Sequence, residues 1–280
     1  RASRLGNSLV SDYTSLDEDH DDDEERGQVV PTPWAWLNGV LDGGPEKGDL
    51  GVILTNISVG KTTALVNMAK EAMGQGLLAV YFTFEDGEKK IKRRLIQCIA
   101  NATIEDLRTN KMQMLARKNK FIMKYGGYCA VKDLQSRRST VEDAANFIRA
   151  ISEEHGRPVD IVLTDYADRF RAATKYAEPR HALREIFEDC KWLARELDVV
   201  HWTARQGKKE LVGKERITMD GAGESWGSME SPDIVIGLGR TMEDEAMDRI
   251  CLYTAKVRDS KDHESHSLET DYPRQRILEP

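Results

Sequence analysis

From residue 28 onward, short apolar runs alternate with stretches of helical periodicity. Leu50–Leu54 (LGVIL), Leu77–Phe84 (LLAVYFTF), Val159–Thr164 (VDIVLT), Val199–Thr203 (VVHWT), Ile234–Leu238 (IVIGL) and Ile250–Ala255 (ICLYTA) read as strands. Between them, Thr62–Gly74 places Leu65, Met68, Ala69 and Met73 on one helical face. Glu88–Ala100 and His181–Leu197 also carry a helical period. Thr140–His155 is a helix with Thr140 as its N-cap and Glu142 and Asp143 in its first turn. Strands alternating with helices predict an α/β fold: a mostly parallel central sheet with helices on both faces. At 280 residues the chain suffices for one large α/β domain, and it has no internal repeat.

The first residues break the pattern. Asp17 to Glu25 is a self-repelling acidic run that cannot bury apolar area. Residues 1–27 are therefore expected to form an acidic flexible N-terminal arm or linker, and residues 28–280 the folded ATPase-type domain. The chain begins at Arg1 rather than Met, so processing or truncation is expected. Net charge is −7, much of it in the arm; without that run the rest is near neutral. That argues against coating nucleic acid with the whole surface and leaves room for a local basic patch. No apolar run is long enough to span a bilayer, so a cytoplasmic protein with no membrane partner is expected. Cys98, Cys129, Cys190 and Cys251 lack the spacing of metal ligands and read as reduced thiols.

The chemistry starts after the first strong strand. Thr55-Asn56-Ile57-Ser58-Val59-Gly60-Lys61-Thr62-Thr63 lies between a strand and a helix, as a phosphate-binding P-loop (GxxxxGK[ST]) does. Gly60, Lys61 and Thr62 fit; Thr55 replaces the first glycine. Loop amides and the helix N-terminus offer N–H groups to phosphates. Lys61 would reach the β- and γ-phosphates, and the Thr62 hydroxyl would bind Mg²⁺. Asn56 through Thr63 are thus the candidate ATP-binding residues.

Other strand ends supply the remaining parts. Asp165 after VDIVLT has the position of a magnesium-holding carboxylate. Glu85, after LLAVYFTF, can polarise water as a general base, with Asp86 and Glu88 as competitors on spacing alone. Gln206 can sense the γ-phosphate. Lys256 and Arg258 suit a phosphate clamp. Directly after Gln206, Gly207 to Arg216 is a glycine-bounded basic stretch. Its Lys208, Lys209, Lys214 and Arg216 are candidate contacts to a nucleic-acid backbone.

Taken together these residues resemble the ATPase domain of DnaB-type hexameric replicative helicases, within the RecA-like superfamily, over roughly residues 30–275. Pro31-Thr32-Pro33-Trp34, Leu41-Asp42-Gly43-Gly44 and Lys47-Gly48-Asp49-Leu50 look like the family's approach to its first core strand. Phe82-Thr83-Phe84-Glu85 with Arg93-Arg94 is similar to its "SLEM…R" segment, which implies Glu85 as the base. Thr164-Asp165-Tyr166 resembles its "VDY" segment, and Thr203-Ala204-Arg205-Gln206 its strand-end sensor. Asp220, Gly223-Glu224-Ser225 and Ser231-Pro232-Asp233 look like its "DLRESGAIEQDAD" stretch. Lys256-Val257-Arg258 resembles the "KNR" pair that reaches a neighbouring subunit's ATP. Asp259-Ser260-Lys261-Asp262 stands where the family has Gly-Pro-Thr-Gly, and a phage-type relative is expected.

The resemblance implies a Mg-ATP-driven helicase motor on single-stranded DNA, working as a homo-oligomer, a hexameric ring or helical assembly, in the cytoplasm of a bacterium or a phage-infected host. Its rivals are a RecA- or KaiC-like ATPase of recombination or regulation, and a bare ATP-binding module without DNA contact.

Overall fold

The computed structural model describes residues 27–56, 58–220, 227–258 and 260–280, and the backbone alone of Lys209. The acidic run, Gly223-Glu224-Ser225, Ile57 and Asp259 lie outside the described residues. Among the described residues nine strands make a single sheet: β1 (Leu50–Thr55), β2 (Leu78–Thr83), β3 (Tyr128–Asp133), β4 (Ile161–Asp165), β5 (Val200–Gln206), β6 (Ile234–Gly239), β7 (Arg249–Val257), β8 (Ser265–Asp271) and β9 (Arg276–Leu278). Their spatial order is β3-β2-β4-β5-β1-β6-β7-β8-β9. The first six positions are parallel; β7, β8 and β9 close the other side as antiparallel neighbours.

Every residue of β1, β2 and β6 is buried, as strands covered on both faces must be. Their alternation divides two cores. Ile53, Tyr81, Leu163 and Trp202 face α1 (Ala35–Val40), α2 (Lys61–Gly74) and α3 (Glu88–Ala100). Leu50, Val52, Leu54, Val80 and Phe82 face α6 (Val141–His155) and α7 (Pro179–Glu196). Gly51 is small because its neighbour is large: a Cβ there would overlap the Trp202 ring. The chain also forms α4 (Ile104–Thr109), α5 (Lys111–Tyr125) and α8 (Met242–Ala246).

The expected elements are present with shifted ends, and the shifts have local causes. Thr140 caps α6 through a reciprocal capping box with Asp143. The fourth strand starts at Ile161 rather than Val159, because Asp160 acts as an anchor instead. Its carboxylate accepts the Leu78 N–H (2.9 Å) and pairs with Lys47 (3.1 Å). The four cysteines are free.

His201 in β5 is fully buried, with one ring nitrogen 2.9 Å from Thr164 Oγ1 and the other 3.3 Å from the Cys190 carbonyl. Burial drops its pKa from 6.5 to about 4. The unfolded chain then binds a proton that the fold excludes, so this contribution to stability is intact above pH 6.5 and is lost as pH falls from there towards 4. We expect chemical denaturation to show about 2 kcal/mol of this loss at pH 5 relative to neutral pH. The loss should be missing from His201→Gln when the two proteins are compared at both pH values.

Candidate functional site at the carboxyl edge of the sheet

Parallel pairing sets the ends of β2, β4, β5 and β1 side by side, and the loops that leave them meet on one edge. This is where open α/β sheets hold their ligands. Thr55 is the last residue of β1, fully buried and paired with both Gln206 and Leu238. Its hydroxyl bonds the Asn56 carbonyl at 2.6 Å, so it extends the strand where the P-loop pattern has a turn glycine. The loop runs to Gly60, whose φ of 111° belongs to the left-handed region that glycine occupies freely. Helix α2 starts at Lys61, and its first turn opens on a cavity of about 310 Å³ lined by Ser58, Gly60, Lys61, Thr62, Thr63 and Arg94, among others. Val59 is buried beneath the loop. The Asn56 side chain turns away from the cavity and donates to the Leu211 carbonyl, tying the loop's root to the segment that follows Gln206.

The acids divide by environment. Asp165 is buried, which pushes its carboxyl up; the Thr62 hydroxyl (2.7 Å), the Lys61 charge and the Tyr81 hydroxyl (3.3 Å) oppose that. Glu85 lies two residues past β2 and is half exposed. Its Oε1 accepts from Arg169 (2.8 Å) and from the Tyr166 hydroxyl (2.9 Å). Partial burial pushes Glu85 up, but those two bonds and the Lys61 charge outweigh it and hold it below the usual glutamate range. Burial and Glu85 together push Tyr166 to about 12. The rival acids serve elsewhere: Asp86 pairs with Lys90 and Arg94, and Glu88 with Lys92. Lys61 Nζ rests 4.0 Å from the centre of the Tyr166 ring.

Gln206 is exposed beside Thr55 and lines a larger cavity of about 690 Å³ with Tyr166, Asp168 and Arg169. Beyond it, Lys208, Lys214 and Arg216 are exposed. The later part of this segment packs across the sheet. A Cβ on Gly237 or Gly239 would strike the Ile217 or Glu215 carbonyl, and Arg216 lies 5.9 Å from the Tyr253 ring.

Lys256 and Arg258 do not join this edge within one chain. Strand β7 runs antiparallel, so its end lies beside the start of β6, with Ile234 opposite Val257. Arg258 pairs with Asp233 (3.1 Å), whose carboxylate also takes Lys191 (2.5 Å) and the Leu50 N–H (2.9 Å). Lys256 Nζ donates to the Glu230 (2.8 Å) and Pro232 (2.6 Å) carbonyls. Six residues of β1 separate that cluster from the P-loop, roughly 17 Å along the strand.

Sequence reasoning missed Arg169, Tyr81, Tyr272 and Gln275. The Tyr272 hydroxyl donates to the Val59 carbonyl (2.7 Å), and its ring is 3.0 Å from where a Cβ on Gly60 would be. Gln275 meets Thr63 (3.4 Å) and Arg94 (3.0 Å). These residues come from distant segments with no motif of their own. Arg94 carried a signal, as the cation downstream of Glu85.

Comparison with known proteins bears on this edge. The profile of the DnaB-like helicase C terminal domain matches residues 30–216. A DnaB-like replicative helicase of Enterobacteria phage T4 is 22% identical over 241 residues, 83% of this chain and 50% of that protein. The replicative DNA helicase DnaB of Helicobacter pylori is 23% identical over 216 residues, 75% of this chain and 43% of that protein. The chain thus spans about half the length of the curated relatives it matches. Among solved structures, an isolated ATPase domain superposes with a TM-score of 0.79 at 20% identity, covering 92% of this chain and 94% of that one. A DnaB-like replicative helicase studied with its interactions with primase gives 0.79 at 19% identity, covering 93% and 64%. The fold is that of these RecA-like ATPase domains, and the chain belongs to the DnaB-like helicase C-terminal domain family.

Proposed function

We propose that this chain is an ATP-dependent helicase motor that hydrolyses Mg-ATP at subunit interfaces and moves on single-stranded DNA. One observation carries the reading: Lys61, Thr62, Asp165, Glu85 and Gln206, from four separate loops, converge on one edge of the sheet around the first turn of α2. The family match agrees and favours this reading over a filament-forming recombinase.

In this reading the phosphates lie across the amides of Asn56–Thr63, with Lys61 on the β- and γ-phosphates. Thr62 and Asp165 fit a magnesium ion. The buried carboxylate has the Thr62 and Tyr81 hydroxyls for partners, and a magnesium site needs few protein ligands beside phosphates and water. When bound, the ion supplies charge neutralisation on the phosphates. Glu85 takes the proton of the attacking water, and Gln206 reads the γ-phosphate. Because Arg258 and Lys256 lie on the far edge, their role is in trans: they reach the ATP of a neighbouring copy and stabilise charge on the transferring phosphoryl group. Lys208, Lys209, Lys214 and Arg216 contact the strand's phosphates.

ATPase assays with and without oligo-dT test the reading. Lys61→Ala should lose nucleotide binding, whereas Glu85→Gln should bind ATP and lose hydrolysis by at least about 100-fold. A Glu85→Gln protein with wild-type turnover makes another group the base. Replacing Lys208 and Lys209 with Ala should weaken dT binding and reduce its salt slope by about two, with basal hydrolysis kept. A slope equal to wild type moves the strand elsewhere.

The trans geometry has its own test. Arg258→Ala and Lys61→Ala proteins should each be nearly inactive. Mixed, they form some interfaces with an intact Lys61 facing an intact Arg258, so activity should partly return. A mixture no more active than its components excludes Arg258 from the neighbour's site.

A further inference from the structure

Glu85 is placed as a base, yet the structure ties it down. Its Oε1 receives two hydrogen bonds, from Arg169 at 2.8 Å and from Tyr166 at 2.9 Å. The Arg169 guanidinium also stacks 4.9 Å from the Tyr166 ring, forming a three-membered group with the glutamate. A carboxylate that accepts two such bonds is a weaker proton acceptor, and one of its oxygens is committed.

Arg169 has a second exposure. It ends the short 3-10 turn Ala167–Arg169 and lines the cavity of about 690 Å³, on whose wall Gln206 also stands. The cavity collects Arg137, Arg171 and Lys175 beside Arg169. Its acid, Asp168, is buried and already pairs with Arg205 at 3.4 Å. Phe170, Leu183 and Ile186 give part of the wall an apolar surface. Cations around an apolar floor suit a phosphodiester carrying a base. The turn is held to its surroundings by the Arg137 N–H on the Arg169 carbonyl (2.7 Å), so the side chain can swing while the backbone stays.

We propose that Arg169 is a positioning residue that clamps Glu85 at rest, and that a strand phosphate in this cavity draws the guanidinium away and frees the base. The proposal rests on the motor reading above. The contact suits an exchangeable latch: Glu85 is half exposed and Arg169 a third exposed, so solvent screens the pair and a competing anion displaces it readily. A buried pair would be costly to break. Freed of Arg169, Glu85 accepts the proton of the attacking water as the water oxygen bonds to the γ-phosphorus and ADP leaves.

The test uses the full chain as Arg169→Ala and, as a second variant that keeps a polar side chain on the turn, Arg169→Gln. ATPase rates are read without DNA and with saturating oligo-dT, alongside dT affinity by anisotropy and thermal unfolding. Both variants should show basal hydrolysis raised three- to tenfold and strand stimulation reduced below twofold. Affinity for dT should weaken two- to fivefold, with a salt slope smaller by about one. Basal rates that stay the same or fall in a folded variant overturn the clamp: unchanged rates make Arg169 a strand contact only, and a fall to the Glu85→Gln level means that it holds the base in its active pose. A wild-type rate indifferent to the strand overturns the motor reading, and the clamp with it.

Discussion

A fully buried parallel strand between two parallel neighbours has no free edge, and β1 is that strand. Its middle is satisfied by its ladders, but both ends have to be satisfied in a region without water. At the amino end Asp233 does this: one carboxylate receives the Leu50 N–H, Lys191 and Arg258, while its backbone joins β1 to β6 and β7. At the carboxyl end the chain has to turn into α2, and the amides left open there form the phosphate cradle. Both candidate clusters, the P-loop and the Arg258 group, are thus answers to the same strand.

The carboxyl edge is not arranged for stability. Asp165 is desolvated with hydroxyls for partners, and Glu85 is held by a cation and a phenol. Lys61 lies on an aromatic face rather than on an acid. In a purely structural cluster Lys61 would sit directly against Asp165. The charges are kept near one another but incompletely neutralised, as expected where a polyanion and its counter-ion complete the balance.

Much of this was legible in the sequence because it is local. The six strands of the parallel core and its antiparallel neighbour carried apolar runs, and α6 announced itself through Thr140. The Gly-Lys-Thr start of α2 and the strand-end acids were placed by spacing alone. What escaped was either half-buried or long-range. Helix α5 buries only Met114, so its apolar period is faint, and β3 is an edge strand with exposed Tyr128. Strand β8 holds His266, Ser267 and Glu269, which read as loop. Tyr272 and Gln275 meet the P-loop from more than two hundred residues away, a contact no periodicity encodes. Resemblance gave Lys256 and Arg258 a role in a neighbour's site; only the antiparallel sense of β7 explains why that site cannot be their own.

That sense also fixes how copies of this domain can combine under the proposed mechanism. The nucleotide edge and the cation edge are opposite ends of one sheet, so a working contact joins two different patches and cannot be a two-fold, self-complementary one. A paired dimer would complete one site and leave the other edge of each copy idle. In any open stack the number of complete sites is one fewer than the number of copies; closing the stack gains a whole site without adding a subunit. Closure itself would then be a source of turnover, and the count of active sites a direct readout of whether the assembly is open or shut.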